Sequence, residues 1–468
     1  MKKMKMVTAL LVGSLILGAC GNTVITSKND STSQGELSAN IDNTTQNSTD
    51  SNLEEGSINE TPEFVRSDNP IEAVPGDEPL VICTEEMYKQ NVRALVDTWE
   101  VLNPGVKASI VVIPRDEEKA ELKIASLKTE LMAGEGPDVF ILKAKQPLEE
   151  GNLTGLFPDP QKAISTGVFL KLDDYIARAK YMDPSTFPSL ILNAGKNKDG
   201  QYILPYAYDY ALAAYNTSDL AHPDQLPMSW NEVVSETDSD IYQSLPIYIY
   251  YPQIFTQLAD YENDLLLFDE DEFVQNTLGC IEASQKSFDE NNDKKAIYCG
   301  LASGLELSIQ REPAWKGNNA HTFWVLPNTG GGVTACINVY TAINSHTKQS
   351  ENAFSFLDLV YSPQVLSGEG FCVDEKYYAN GDSAKMDWNN GILLTHGALG
   401  QNMAQLSDEG KAQLQSIYNR INCVRFNTDM DQSLFDMIMQ MPFDTEDNDK
   451  LQSIAEETYN TLWMKMAE

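Results

Sequence analysis

From Pro79 onward the chain alternates short apolar runs with stretches of helical periodicity. Leu80-Val81-Ile82-Cys83 is an unbroken apolar run of strand length, after which Met87, Ala94, Leu95, Trp99 and Leu102 recur along one helix face. Asn103-Pro104-Gly105 ends that helix, because proline cannot continue it and glycine suits a left-handed cap. Ala108 to Ile113, rich in β-branched residues, predicts a second strand. Asp116 to Ala133 predicts a second amphipathic helix stopped by Gly134, and Val139-Phe140-Ile141-Leu142 a third strand. Strands that are apolar throughout and alternate with helices predict a parallel α/β sheet covered on both faces.

The same patterning is absent before Pro79. Between Gly21 and about Asp77 Ser, Thr, Asn, Glu and Asp dominate, and no periodicity survives. Such a segment cannot bury enough apolar area to offset chain entropy, so a flexible tether with a reach of roughly 40 Å is expected. Ahead of it, Lys2, Lys3 and Lys5 precede an apolar stretch from Val7 to Leu17, too short for a membrane-spanning helix and suited to an export signal. Leu17-Gly18-Ala19-Cys20 then matches the pattern of a bacterial lipobox, in which the thiol of Cys20 takes the lipid. The expected form is therefore anchored to the cell membrane from outside rather than spanning it.

Composition narrows the chemistry. With 69 acidic against 33 basic residues the net charge is −36, and loss of the three lysines of the signal takes it to −39. That field opposes binding to nucleic acid and keeps the chain soluble, and a monomer is expected. Six cysteines follow Cys20, widely spaced and without a C-x-x-C, so no zinc site is supported; they allow 15 pairings, and free buried thiols are equally open. There is no phosphate-binding glycine loop, no G-x-S-x-G and no H-E-x-x-H, and Asp289, Asn291 and Asp293 fail as a calcium loop because Lys294 stands where glycine must turn. Neither cofactor nor metal is expected, and no catalytic residue is nominated.

Several short motifs, in order, resemble the family 1 extracellular solute-binding proteins of ABC importers, the group that includes maltose-binding protein. They are Leu131-Met132-Ala133-Gly134-Glu135-Gly136-Pro137-Asp138-Val139, Leu170-Lys171-Leu172-Asp173-Asp174-Tyr175, Asp199-Gly200-Gln201-Tyr202-Ile203-Leu204-Pro205 with Tyr215-Asn216, and Pro227-Met228-Ser229-Trp230-Asn231-Glu232. Glu351-Asn352-Ala353 through Ser362-Pro363-Gln364 completes the set. The resemblance implies an α/β, two-lobed periplasmic-binding-protein-like fold, each lobe a mainly parallel sheet flanked by helices. It divides the chain into a signal (1–19), a lipidated cysteine and tether (20–78), lobe 1 (79–205) and lobe 2 (206–326). A return to lobe 1 (327–370) and a C-terminal helical part mostly on lobe 2 (371–468) follow, with crossings near 204–211, 326–334 and 370. Gly330-Gly331-Gly332 is a candidate hinge element.

It further implies a non-enzymatic receptor that delivers a small ligand, here a sugar, to an ABC permease. A neutral sugar needs aromatic faces for its C–H side and carboxylates or amides for its hydroxyls. On that chemistry Tyr208, Asp209 and Tyr210 near the first crossing, Glu85 at the end of the first strand, and Trp315 and Trp388 in polar surroundings are the candidate ligand contacts. Ser229 and Glu232 read as a helix capping box, which places Trp230 in a core instead. Lys143 and Lys145 depart from sugar-binding relatives, and residues 369–402 match no family motif. Two rival readings stand beside this one: a ligand-presenting subunit of a membrane sensor or surface adhesin, and an anchored glycoside hydrolase.

Overall fold

A computed structural model describes residues 67–145, 155–235, 247–261, 263–287, 296–311, 315, 320–367, 371–373, 376–379, 392–393, 406–442 and 447–467. The predicted β-α-β-α-β order is present as β1 (Leu80–Glu85), α1 (Lys89–Leu102), β2 (Ala108–Ile113), α2 (Glu117–Met132) and β3 (Val139–Lys143). β1 pairs in parallel with β2 and β3, as helical connections require. The Asp116 carboxylate caps α2 by accepting from the Lys119 N–H at 3.1 Å. Trp99 of α1 is fully buried, edge-on to Phe356 at 5.9 Å, with Nε1–H donated to Ser355 Oγ.

Beyond β3 come α3 (Pro160–Ser165), β4 (Ile203–Asp209), β5 (Ala211–Asn216), α4 (Trp230–Ser235), α5 (Glu270–Ser287), β6 (Ala296–Leu301), α6 (Ala302–Arg311) and β7 (His321–Val325). The chain closes with β8 (Val333–Ile343), α7 (Ser350–Val360), β9 (Ile392–Leu393), α8 (Asp408–Asn419), β10 (Ile421–Phe426), α9 (Asp429–Gln440) and α10 (Asn448–Ala467). Among the described residues the main sheet has seven strands in the order β9-β4-β8-β3-β1-β2, with β10 added to β8. β8 is its spine: antiparallel to β3 and β4, parallel to β10, and buried along its whole length. The small sheet β6-β5-β7 is antiparallel throughout, so the parallel pairing expected in each lobe is met in β1–β3 and β8–β10 only. Sequence periodicity reports that a strand is buried, not the direction of its neighbour.

Two cores result. One packs the main sheet against α1, α2 and α7; the other gathers Trp230, Phe273, Met430, Leu434 and Leu462 from α4, α5, α9 and α10. The small sheet lies between them and divides its residues by the period of two. Ala211, Ala213, Tyr215 and Trp324 face the second core, while Leu212, Ala214, Phe323 and Val325 continue the first. Residues 371–468, expected as a helical part, place β10 in the main sheet as well as α9 and α10 in the second core. The chain also packs earlier than Pro79: Ile71 is buried in the first core, and its N–H donates to the Arg178 carbonyl at 3.0 Å.

Candidate functional site

At three places among the described residues the chain passes from a main-sheet strand to an element of the small sheet or second core. Tyr210 alone separates β4 from β5, residues 326–332 join β7 to β8, and Asn427-Thr428 joins β10 to α9. The crossing expected near 370 falls at residues 368–370, outside the described residues.

The first passage is organised by Asp209. Its carboxylate accepts from the N–H of Tyr210 and of Ser303, each at 3.0 Å, and from the Ser303 hydroxyl. Ser303 lies in the first turn of α6, so Asp209 caps that helix from a distant strand. The Tyr210 carbonyl accepts the Ala302 N–H at 2.9 Å, which ties the passage to the same helix start. Burial pushes the Asp209 carboxyl up to about 6 against these hydrogen bonds. Tyr250 and Tyr298 lie within electrostatic reach of Asp209, and Tyr418 of Tyr208 and Tyr210. The Tyr298 hydroxyl donates to the Leu301 carbonyl, and Gly304 makes room for it: a Cβ there would stand 2.4 Å from that oxygen.

Asp209 thus titrates differently folded and unfolded, and the sign is definite. Its folded value lies above the ordinary carboxylate value, so protonation stabilises the fold below about pH 4, and this is lost as pH rises through 6. Relative to Asp209→Asn, which does not titrate, the wild type is expected to lose up to about 3 kcal/mol between pH 4 and 7. Urea titrations of both proteins across that range measure the difference; a pH-independent gap would contradict it.

The second passage is stitched by polar side chains. Asn328, fully buried, donates through Nδ2 to Thr334 Oγ1 at 3.0 Å and to Asn422 Oδ1 at 2.7 Å, and accepts the Gly332 N–H at 3.0 Å. Gly331 takes a φ of +77°, and a Cβ on Gly332 would meet Asn422 at 2.2 Å. The glycines expected as a hinge element are therefore held against β10. At the third passage Arg425 and Asp431, 2% and 0% exposed, form an ion pair at 2.7 Å, and Thr428 and Asp431 make the capping box of α9.

The candidate residues fall into distinct places. Tyr208, Asp209 and Tyr210 come together at the first passage, all buried, and Asp209 is committed to Ser303 and backbone N–H groups. Glu85, partly exposed at the end of β1, accepts the Lys143 N–H at 3.1 Å on both carboxylate oxygens. Trp315, a candidate ligand contact on its polar surroundings, is 3% exposed: its ring lies 4.8 Å from that of His321 and stacks on Phe323, and its N–H donates to Ser308 Oγ at 3.0 Å. Its polar sequence neighbours gave no sign of that packing. Trp388 and Cys20 lie outside the described residues. Sequence reasoning passed over Ser303, Asn328, Arg425 and Asp431. Arg425 carried a readable signal, a lone cation inside the apolar run Cys423-Val424-Arg425-Phe426.

Two hydrophobic cores are joined by several chain passages, and buried polar groups gather at those passages. The family model of bacterial extracellular solute-binding proteins matches residues 88–366, more than half of the chain. The chain belongs to that family: it is an extracellular, non-catalytic solute-binding protein of an ABC importer. Among solved structures it is similar to an extracellular solute-binding protein of family 1 from Alicyclobacillus acidocaldarius, with 14% identity, coverage of 85% of this chain and 100% of that one, and a TM-score of 0.54. It is also similar to the sugar-binding protein MalE of Xanthomonas citri, with 14% identity, coverage of 83% and 98%, and a TM-score of 0.53. A cyclic alpha-maltosyl-1,6-maltose binding protein from Arthrobacter globiformis gives 12% identity, coverage of 83% and 100%, and a TM-score of 0.52. At these identities the likeness establishes the fold. A search of curated proteins gave no match.

Proposed function

We propose that this chain is a lipid-anchored receptor that captures a neutral mono- or oligosaccharide between its two cores and delivers it to an ABC permease. What supports this most is the family membership together with chain passages between the two cores that carry buried polar groups. Two of the structural relatives, a sugar-binding protein and a cyclic alpha-maltosyl-1,6-maltose binding protein, favour a sugar as the solute. In this reading Glu85 at the open end of β1 and Trp388 contact the sugar. Tyr208, Asp209 and Tyr210 form the wall behind it, while Trp315 packs on His321 and Phe323 of β7. A ligand that touches both lobes only when they are closed shifts the equilibrium toward closure, and no covalent step is needed.

The test is a thermal-shift screen of the purified chain against mono- and oligosaccharides, amino acids and sugar acids. A specific solute at 100 times its Kd is expected to stabilise the chain by about 2.7 kcal/mol. A neutral sugar should do so while amino acids and sugar acids leave the melting temperature unchanged. Stabilisation by an amino acid alone would overturn the sugar reading. For the anchor, Cys20→Ala is expected to release the chain from membranes into the soluble fraction.

A further inference from the structure

Between the end of β3 and the start of α9 lies a seam at which the main sheet's side meets the second core. Ala144 donates its N–H to the Asn338 carbonyl at 2.7 Å, which pins the backbone after β3 to the spine strand β8. The next side chain, Lys145, is only 12% exposed and reaches across to pair with Asp429 in the first turn of α9. The far side of that pair is itself braced: Lys465 of α10 donates to Ser433 Oγ at 2.6 Å and to the Asp429 carbonyl at 3.4 Å.

Two further contacts cross the same seam. Asp159 caps α3, accepting from the N–H of Gln161 at 3.1 Å and of Lys162 at 3.0 Å, and hydrogen-bonds the hydroxyl of Tyr261, which packs on the second core. Lys162 donates to the Met466 carbonyl in the last turn of α10 at 3.3 Å. All three contacts are polar. Polar contacts exchange readily for water, so such a seam can part and re-form, whereas an apolar one would hold the lobes shut. Of the three, Lys145–Asp429 joins two opposite formal charges.

We propose that Lys145 and Asp429 are a positioning pair that latches the two lobes together and favours the arrangement of lobes in which the pair is formed. This rests on the two-lobed receptor reading above, but not on the solute's being a sugar. Breaking the latch lowers the population of that arrangement and frees the contacts that share the seam.

Hydrogen–deuterium exchange of the full chain, with no solute added, tests it. In Lys145→Met and in Asp429→Asn, exchange is expected to rise about two- to five-fold at residues 259–261 and 463–467, which touch the opposite lobe through the other two contacts. The charge-swapped double variant Lys145→Asp/Asp429→Lys is expected to return both segments toward wild-type rates, and Lys145→Arg to leave them unchanged. Wild type in 1 M NaCl is expected to move in the direction of Lys145→Met. A rise confined to residues 143–145 and 429–433, or a charge swap that restores nothing, would overturn the latch. If exchange responds as expected while no sugar shifts the melting temperature, the latch stands and the sugar reading falls.

Discussion

Arg425→Met is expected to cost the folded chain about 3–5 kcal/mol. Arg425 and Asp431 are both buried, and the guanidinium also donates to the Pro252 carbonyl at 2.8 Å and the Phe426 carbonyl at 3.3 Å. Burial alone would drive Arg425 toward its neutral form; Asp431 outweighs that and holds its pKa above the ordinary guanidinium range. Methionine fills much of the same volume but leaves the Asp431 carboxylate in the interior without its counter-ion and the Pro252 carbonyl with only the Phe255 N–H at 3.4 Å. Asp431 still accepts from the Thr428 N–H at 2.8 Å, which does not replace a full charge. Removing both charges should hurt less than removing one, so Arg425→Met/Asp431→Asn is expected to recover a large part of the loss. Urea titration of the three proteins decides it. A single-variant loss below about 1 kcal/mol would mean that water reaches the pair and that its burial is not felt.

The second large effect is expected at Trp324. Trp324→Ala removes a side chain that is 2% exposed in the second core and whose Nε1–H donates to the Pro227 carbonyl at 2.8 Å. Loss of the buried ring and the cavity left behind should cost about 3–5 kcal/mol. Trp324 stands at the end of β7, immediately before the second passage, so its loss should also loosen the link to β8. Trp324→Phe keeps most of the apolar area and strands the Pro227 carbonyl, with an expected cost of about 1–2 kcal/mol. Trp463, 52% exposed on α10, serves as the control: Trp463→Ala should change stability by less than about 0.5 kcal/mol. Equal losses at Trp324 and Trp463 would contradict the packing described for the small sheet.

Much of the first 60 residues of the folded part was readable from pattern alone. Continuous apolar runs at β1, β2 and β3, separated by amphipathic stretches with stop signals, specified three parallel strands and their helices. Local chemistry was equally legible at Ser229 and Glu232. The Glu232 carboxylate accepts the Ser229 N–H at 3.1 Å, Ser229 Oγ accepts the Glu232 N–H at 3.3 Å, and Trp230 is buried as that cap implies. The site was less legible. Tyr208, Asp209 and Tyr210 drew attention as an aromatic–acid alternation, yet nothing near them in sequence points to Ser303, the partner of Asp209 94 positions away. Trp315 sits among polar neighbours, and only its contact with β7 shows that the ring is core.

Taken alone, then, the order of residues determined the class of elements and the caps made by near neighbours in the chain. Those properties rest on interactions within about four residues along a helix or on the period of two in a strand. Tertiary structure alone decided the antiparallel small sheet, the role of β8 as spine, the capping of α6 by Asp209, and the pairing of Arg425 with Asp431 and of Lys145 with Asp429. Charges and hydrogen-bond partners such as these are selected by which surfaces meet when two cores pack. A carboxylate's environment, unlike its helix position, is a property of three-dimensional neighbours.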